Sequence, residues 1–156
     1  MKKWPWLLLS LGILVLDQLS KYWVGLHFTP WVPYPVFSGF NITLAWNNGA
    51  AFSFLSGAGE WHRWFFVVFS LLMSVVFVIW LRRLPENAVL QPLAIALLLG
   101  GAAGNLIDRL FFGYVVDFLE VYYQNWHWPV FNIADSAIFV GAVLLMLDLL
   151  RNKTAT

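Results

Sequence analysis

The chain has 156 residues, of which 61% are hydrophobic, 19% aromatic and only 11% charged, with a net charge of +1 at pH 7. A mean hydropathy of +0.74 is too apolar for a soluble domain, so the composition marks an integral membrane protein, and the charge balance carries no sign of a nucleic-acid partner. With no cysteine there is no disulfide, thiolate nucleophile or cysteine-ligated metal, while ten Trp and five Tyr suit aromatic belts at the two headgroup layers.

Met1-Lys2-Lys3 followed by Trp4 to Leu16 has the basic and apolar regions of a secretory signal. No small-x-small cleavage site follows, and the helical pattern runs on through Asp17 and Lys21 to Val24. At ~1.5 Å per residue that length crosses a core of ~30 Å, so residues 4–24 are read as a first retained span. Asp17 and Lys21 stand i, i+4 and share a helix face, where they can serve a site in the bundle or only fix packing.

Residues 25–61 form an outer, non-spanning segment whose Pro30, Pro33 and Pro35 exclude a regular helix. Phe40 to Trp46 is rich in β-branched and aromatic residues, and Asn47-Asn48-Gly49 has the composition of a hairpin turn. A small sheet on the membrane surface is expected. Ala50 to Leu55 can return as a strand or form a short interfacial helix, and Gly57 and Gly59 loosen its exit. The segment is then either an aromatic-anchored loop or a flap over a site.

A second span is expected over 64–81, ended by Arg82-Arg83 and Pro85, and a third over 88–110. Gly100-Gly101-Ala102-Ala103-Gly104 in the third permits close approach of a neighbouring helix. Residues 111–130 form a second outer loop, and 133–150 a fourth span. Lys2, Lys3, Arg82, Arg83, Arg151 and Lys153 then share one side, with only Arg63 near the edge of the other. By the positive-inside rule both termini are cytoplasmic and both longer loops face outward.

Carboxylates beside long apolar runs are costly, and so point to a functional site. Asp135 falls in the first turn of the fourth helix, with Asn132 placed as its N-cap, and Asp117 follows the third helix on the same outer side. If the fold packs helices three and four together, the two carboxyls can meet, share one proton and supply the acid and base that set water on a peptide carbonyl. The plainer alternative is two acids in a surface loop and a helix cap. Asp108 and Arg109 end the third helix with Asn105 four residues before Arg109, positioned to hold a substrate backbone or to brace the site. His27, His62 and His127 have no metal-ligand spacing, and Ser53, Ser56 and Ser136 have neither a basic partner nor a GxSxG elbow.

Five stretches together carry a family resemblance: Asp17 with Lys21; Asn48-Gly49-Ala50-Ala51-Phe52-Ser53; Gly104-Asn105-Leu106-Ile107-Asp108-Arg109; Val115-Val116-Asp117-Phe118; and Phe131-Asn132-Ile133-Ala134-Asp135-Ser136. With these the chain resembles the lipoprotein signal peptidases (signal peptidase II), aspartic proteases of the bacterial inner membrane. The resemblance implies Asp117 and Asp135 as the catalytic pair, with Asn48, Asn105, Asp108, Arg109, Asn132 and Ala134 around them. It also implies removal of the signal peptide from diacylglyceryl-modified prolipoproteins just before the lipid-bearing cysteine, and inhibition by the cyclic peptide globomycin. The implied fold is an all-α, four-transmembrane-helix bundle with a small extracytoplasmic β-cradle and a short surface helix. A single membrane domain acting as a monomer, without metal or other cofactor, is expected. Two other readings compete: a small proton- or ion-conducting protein with Asp17, Lys21, Asp108 and Arg109 as a relay, and an assembly protein whose charges only pin helices.

Overall fold

The computed structural model describes residues 3–49 and 61–153. Four helices, α1 (Trp4–His27), α2 (Trp61–Arg83), α3 (Leu90–Phe111) and α4 (Ile133–Lys153), are long and apolar enough to cross a membrane. The structure thus gives the expected bundle, with α2 starting three residues earlier than hydropathy suggests. Pro5 and Pro92 lie in first turns, where a missing N–H breaks no helical bond.

Helix α3 is the centre of the bundle and packs against the other three helices. Of its most apolar stretch 61% is buried inside the protein, against 28% for α1, 17% for α2 and 11% for α4. Its glycines make this possible. A Cβ on Gly100 would lie 2.7 Å from the Ser10 carbonyl oxygen of α1, one on Gly101 2.4 Å from the Ala134 carbonyl oxygen of α4, and one on Gly104 2.6 Å from Asp17 Oδ2. Toward one end Phe77, Leu81, Leu84, Ile95 and Leu98 form a core with Trp6 against it. There Lys3 Nζ donates to the carbonyls of Leu84 (2.6 Å) and Pro85 (3.2 Å), tying the start of α1 to the end of α2.

At the opposite end lies a four-stranded antiparallel sheet in the order β1 (Pro33–Phe37), β2 (Phe40–Asn47), β3 (Val115–Tyr123), β4 (Trp126–His127). The sheet was expected, but its connections were not. The hairpin turn of β2 falls at Ser38-Gly39, with Gly39 at φ +93°, and joins it to β1. Pro33 and Pro35 are accommodated because β1 is an edge strand. Asn47 ends β2 rather than opening a hairpin, although Gly49 does take a turn conformation at φ +93°. The return of residues 50–55 and the flap reading lie outside the described residues.

The segment after α3 is likewise a strand rather than a loop, and β3 pairs with β2 across nearly seventy positions of sequence. Ala45 faces Asp117 and Asn47 faces Val115, so one face of the ribbon carries Ala45, Asn47 and Asp117. The other carries Leu44 and Phe118, which form a second core with Val24 of α1. Farther along, the Glu120 carboxylate accepts from Asn41 Nδ2 (3.0 Å) and Thr43 Oγ1 (2.5 Å) and pairs with His127 Nδ1 (2.7 Å), joining β2, β3 and β4. Burial pushes this carboxyl up, but the bonds from Thr43, Asn41 and His127 outweigh it and hold it below the ordinary value.

Candidate active site

The site forms where the β2–β3 ribbon meets the N-terminus of α4. Phe131 is stitched to β3, its carbonyl accepting from the amides of Phe118 (3.0 Å) and Leu119 (2.8 Å) and its own amide donating to Leu119 O (3.0 Å). That stitch holds Asn132 next to Asp117. Asn132 is the N-cap expected of it: its Oδ1 accepts from Asp135 N (2.8 Å), while the Asp135 carboxylate accepts in return from Asn132 N (3.3 Å). This is a capping box with aspartate in the usual Glu or Gln position, so one of the candidate catalytic acids also starts the helix that carries it.

Asn132 joins the two acids. Its Nδ2 donates to Asp117 Oδ1 at 2.7 Å, with Asn105 Oδ1 (3.1 Å) and Val116 O (3.3 Å) also in range. Asn105 Nδ2 in turn donates to Asp135 Oδ1 at 2.7 Å. Burial, and after it the neighbouring Asp135 charge, push the Asp117 carboxyl up from its ordinary 3.8 to about 7, against the opposing hydrogen bonds of Asn47 and Asn132 and the charge of Lys21. A carboxyl in that range exchanges its proton at neutral pH.

Beneath the pair lies a buried ionic cluster. Lys21 Nζ stands 2.8 Å from both Asp17 Oδ2 and Asp108 Oδ2 and donates to Asn105 Oδ1 at 3.1 Å. Asp17 Oδ1 accepts from Ala134 N (2.9 Å), satisfying another first-turn amide of α4, and Asp108 Oδ2 accepts from Val116 N (3.0 Å). A buried charge is tolerated only when paired and hydrogen-bonded, and here each carboxylate has both. Ala134 is fully buried, in line with the close approach of α4 to Gly101 and Gly104.

Of the residues singled out in the sequence, Asp17, Lys21, Asn105, Asp108, Asn132, Ala134, Asp117 and Asp135 therefore come together. Arg109 lies at the edge, its Nη1 donating to Asn105 O (3.3 Å) and its guanidinium 4.9 Å from the centre of the Phe66 ring. Asn48 is exposed. Its neighbour Asn47, passed over in the sequence, contacts the site instead, donating Nδ2 to Asp117 Oδ2 at 2.9 Å and accepting Gly49 N at 2.9 Å. Gln18 was also missed; its Nε2 donates to Asp108 Oδ1 at 2.8 Å. Strand parity identifies Asn47 only once β2 is paired with β3, whereas Gln18 had a visible signal, a carboxamide inside an apolar span beside Asp17. Ser136 Oγ donates to Asn132 O (2.9 Å), a helix-start contact. Among the described residues no three His, Asp or Glu side chains are grouped to hold a metal.

The model of the signal peptidase II (SPase II) family matches residues 9–151. A lipoprotein signal peptidase of Acinetobacter baumannii is 56% identical over 143 residues, 92% of this chain and 81% of the relative, and one of Pseudomonas aeruginosa is 47% identical over 151 residues, 96% and 89%. A solved bacterial membrane enzyme, determined by the in meso method at 2.3 Å, superposes with a TM-score of 0.87 at 31% identity, covering 97% of this chain and 91% of the other. A second, determined at 1.9 Å, gives 0.83 at 32% identity over 94% and 92%. Matched along nearly its whole length in sequence and in fold, the chain belongs to the signal peptidase II family.

Proposed function

We propose that this protein is an aspartic endopeptidase that removes the signal peptide from diacylglyceryl-modified prolipoproteins, cleaving before the lipid-bearing cysteine, with Asp117 and Asp135 as its catalytic pair. The observation that carries this reading is Asn132, whose side chain and backbone hold both carboxylates at once. A pair with one exchangeable proton at neutral pH supplies a base to take a proton from water and an acid to polarise the scissile carbonyl and then protonate the leaving amine. No metal or other cofactor is needed.

The protein works in the bacterial cytoplasmic membrane with both termini inside and the site at the outer boundary, where a lipidated cysteine keeps its acyl chains in the bilayer. Basic residues gathered at one end, where Lys3 meets the end of α2, support this orientation. Asn48 and Arg109 belong to the surround that meets substrate or a globomycin-type cyclic peptide, and the buried Asn105 and Asp108 support it from behind. Asp17 and Asp108 pair with Lys21 and accept from the amides of Ala134 and Val116, holding α4 and β3 in place, which favours a brace over a transmembrane relay.

Purified protein incubated with a lipid-modified precursor tests the reading. Wild type is expected to cleave, whereas Asp117→Asn and Asp135→Asn fold, bind a cyclic peptide inhibitor and leave the precursor intact. Substantial cleavage by either variant, or carboxyls more than about 10 Å apart with substrate bound, overturns the mechanism, since acid and base must both reach one peptide group.

A further inference from the structure

His62 is only 8% exposed, and its Nε2 is the one buried side-chain nitrogen or oxygen among the described residues with no hydrogen-bond partner. Folded proteins pair such atoms almost always, and an exception calls for an explanation. The position of His62 supplies one. It is the second residue of α2, one turn outward from Phe66 on the stripe that continues through Ser70, Phe77 and Leu81 into the bundle.

Two contacts define what that stripe faces at its outer end. The Phe66 ring lies under the Arg109 guanidinium, and it packs so closely on Gly49 that a Cβ there would come within 2.8 Å of it. Gly49 is bonded to Asn47, which donates to Asp117. Next to His62, Arg63 donates Nε to Arg109 O and Nη2 to Leu110 O, both at 2.8 Å, clamping the first turn of α2 to the last turn of α3. His62 therefore stands one helical turn from Phe66, the α2 residue that meets both Arg109 and Gly49 at the edge of the candidate active site.

We propose that His62 is a substrate-binding residue whose Nε2 hydrogen-bonds a main-chain peptide group of the bound precursor where the precursor passes the first turn of α2. An extended peptide brings unpaired N–H and C=O groups into a poorly hydrated site, where each needs a partner from the protein. Around the aspartates the polar side-chain atoms of Asn47, Asn105 and Asn132 are already engaged. An imidazole nitrogen can donate or accept, so Nε2 serves either peptide group. The inference rests on the peptidase reading above.

Steady-state cleavage of a lipid-modified precursor by H62L, H62Q and H62N, together with thermal unfolding of the ligand-free proteins, tests it. Gln places an amide group near the position of Nε2, whereas Asn reaches only as far as Nδ1. H62L and H62N should raise KM on the order of ten-fold with kcat within about two-fold of wild type, the loss of one hydrogen bond made in ground and transition state alike, while H62Q keeps a near-normal KM. H62L should also unfold at the same temperature as wild type or higher, because it removes an unpaired buried polar atom, whereas a merely structural histidine would lower it. An H62L enzyme with normal KM, or equal KM values for H62Q and H62N, overturns the proposal. The Gln and Asn pair decides the matter even where H62L fails to accumulate. Cleavage by wild type and its absence in Asp117→Asn keep the peptidase reading separate: if wild type does not cleave, that reading falls, and if only the His62 pattern is missing, this one does.

Discussion

Asp117 receives one hydrogen bond on each oxygen, from Asn132 and Asn47, and is 1% exposed. Its carboxyl is nonetheless pushed up to about 7, because burial and the adjacent Asp135 charge outweigh those bonds. A raised carboxyl means that the folded protein holds this proton more tightly than the unfolded chain. Its contribution to stability is complete below about pH 4 and is lost as pH rises through about 7. Asp117→Asn keeps the neutral shape, so thermal unfolding should show wild type losing stability relative to this variant between about pH 4 and 7, by at most about 4 kcal/mol. Parallel pH dependences in the two proteins would remove the basis for the shift. In the proposed mechanism the same proton sets the alkaline limb of cleavage, with kcat/KM expected to fall as the pair loses it above about pH 7.

At the scale of elements, the close approach of α3 to α1 and α4 rests on positions that cannot carry a side chain. Gly101→Ala drives a methyl against the Ala134 carbonyl oxygen at 2.4 Å, backbone that cannot turn aside. It should destabilise by about 1–3 kcal/mol and disturb the first turn of α4, where Asp135 is held. A methyl added at Gly12 on α1 would meet nothing within 4 Å, so Gly12→Ala should be neutral or stabilise by up to about 1 kcal/mol through helix propensity alone. Thermal unfolding of the two variants in one detergent measures the contrast. Equal effects would mean that the small residues of α3 do not set helix spacing.

Across the whole molecule, Lys21 is the tie. From α1 it reaches Asp17 on its own helix and Asp108 and Asn105 on α3, while Asp17 caps α4 and Asp108 holds the start of β3. Lys21→Met leaves two buried carboxylates without their cation and should cost about 3–5 kcal/mol, read as lost folded protein or a lowered unfolding temperature. A variant as stable as wild type would show the cluster to be incidental. The orientation of the whole bundle is checked by reporter fusions after Leu84, beside the Lys3 contact and Arg82-Arg83. A cytoplasmic signal is expected, and an external one would invert the topology.

What the chain determines locally was legible in the sequence. Hydropathy marks the four spans, i, i+4 spacing places Asp17 beside Lys21, small residues mark the packing face of α3, and Asn132 ahead of Ile133-Ala134-Asp135 marks a helix start, because each depends on groups within a turn or two of one another. The assembly of the site was not readable this way. Asn47-Asn48-Gly49 has the composition of a hairpin turn, yet β2 pairs with β1 through Ser38-Gly39 and with β3 from beyond two helices. Val115 to Tyr123 reads as loop because Asp117 and Glu120 interrupt its apolar pattern, and both are accommodated only by partners from distant elements: Asn47 and Asn132 for one, Asn41, Thr43 and His127 for the other. Sequence motifs name the acids, but which face of β3 Asp117 occupies, and that Asn132 links it to Asp135, follow from strand register and from the Phe131 stitch. Those are long-range backbone pairings, and no local pattern encodes them.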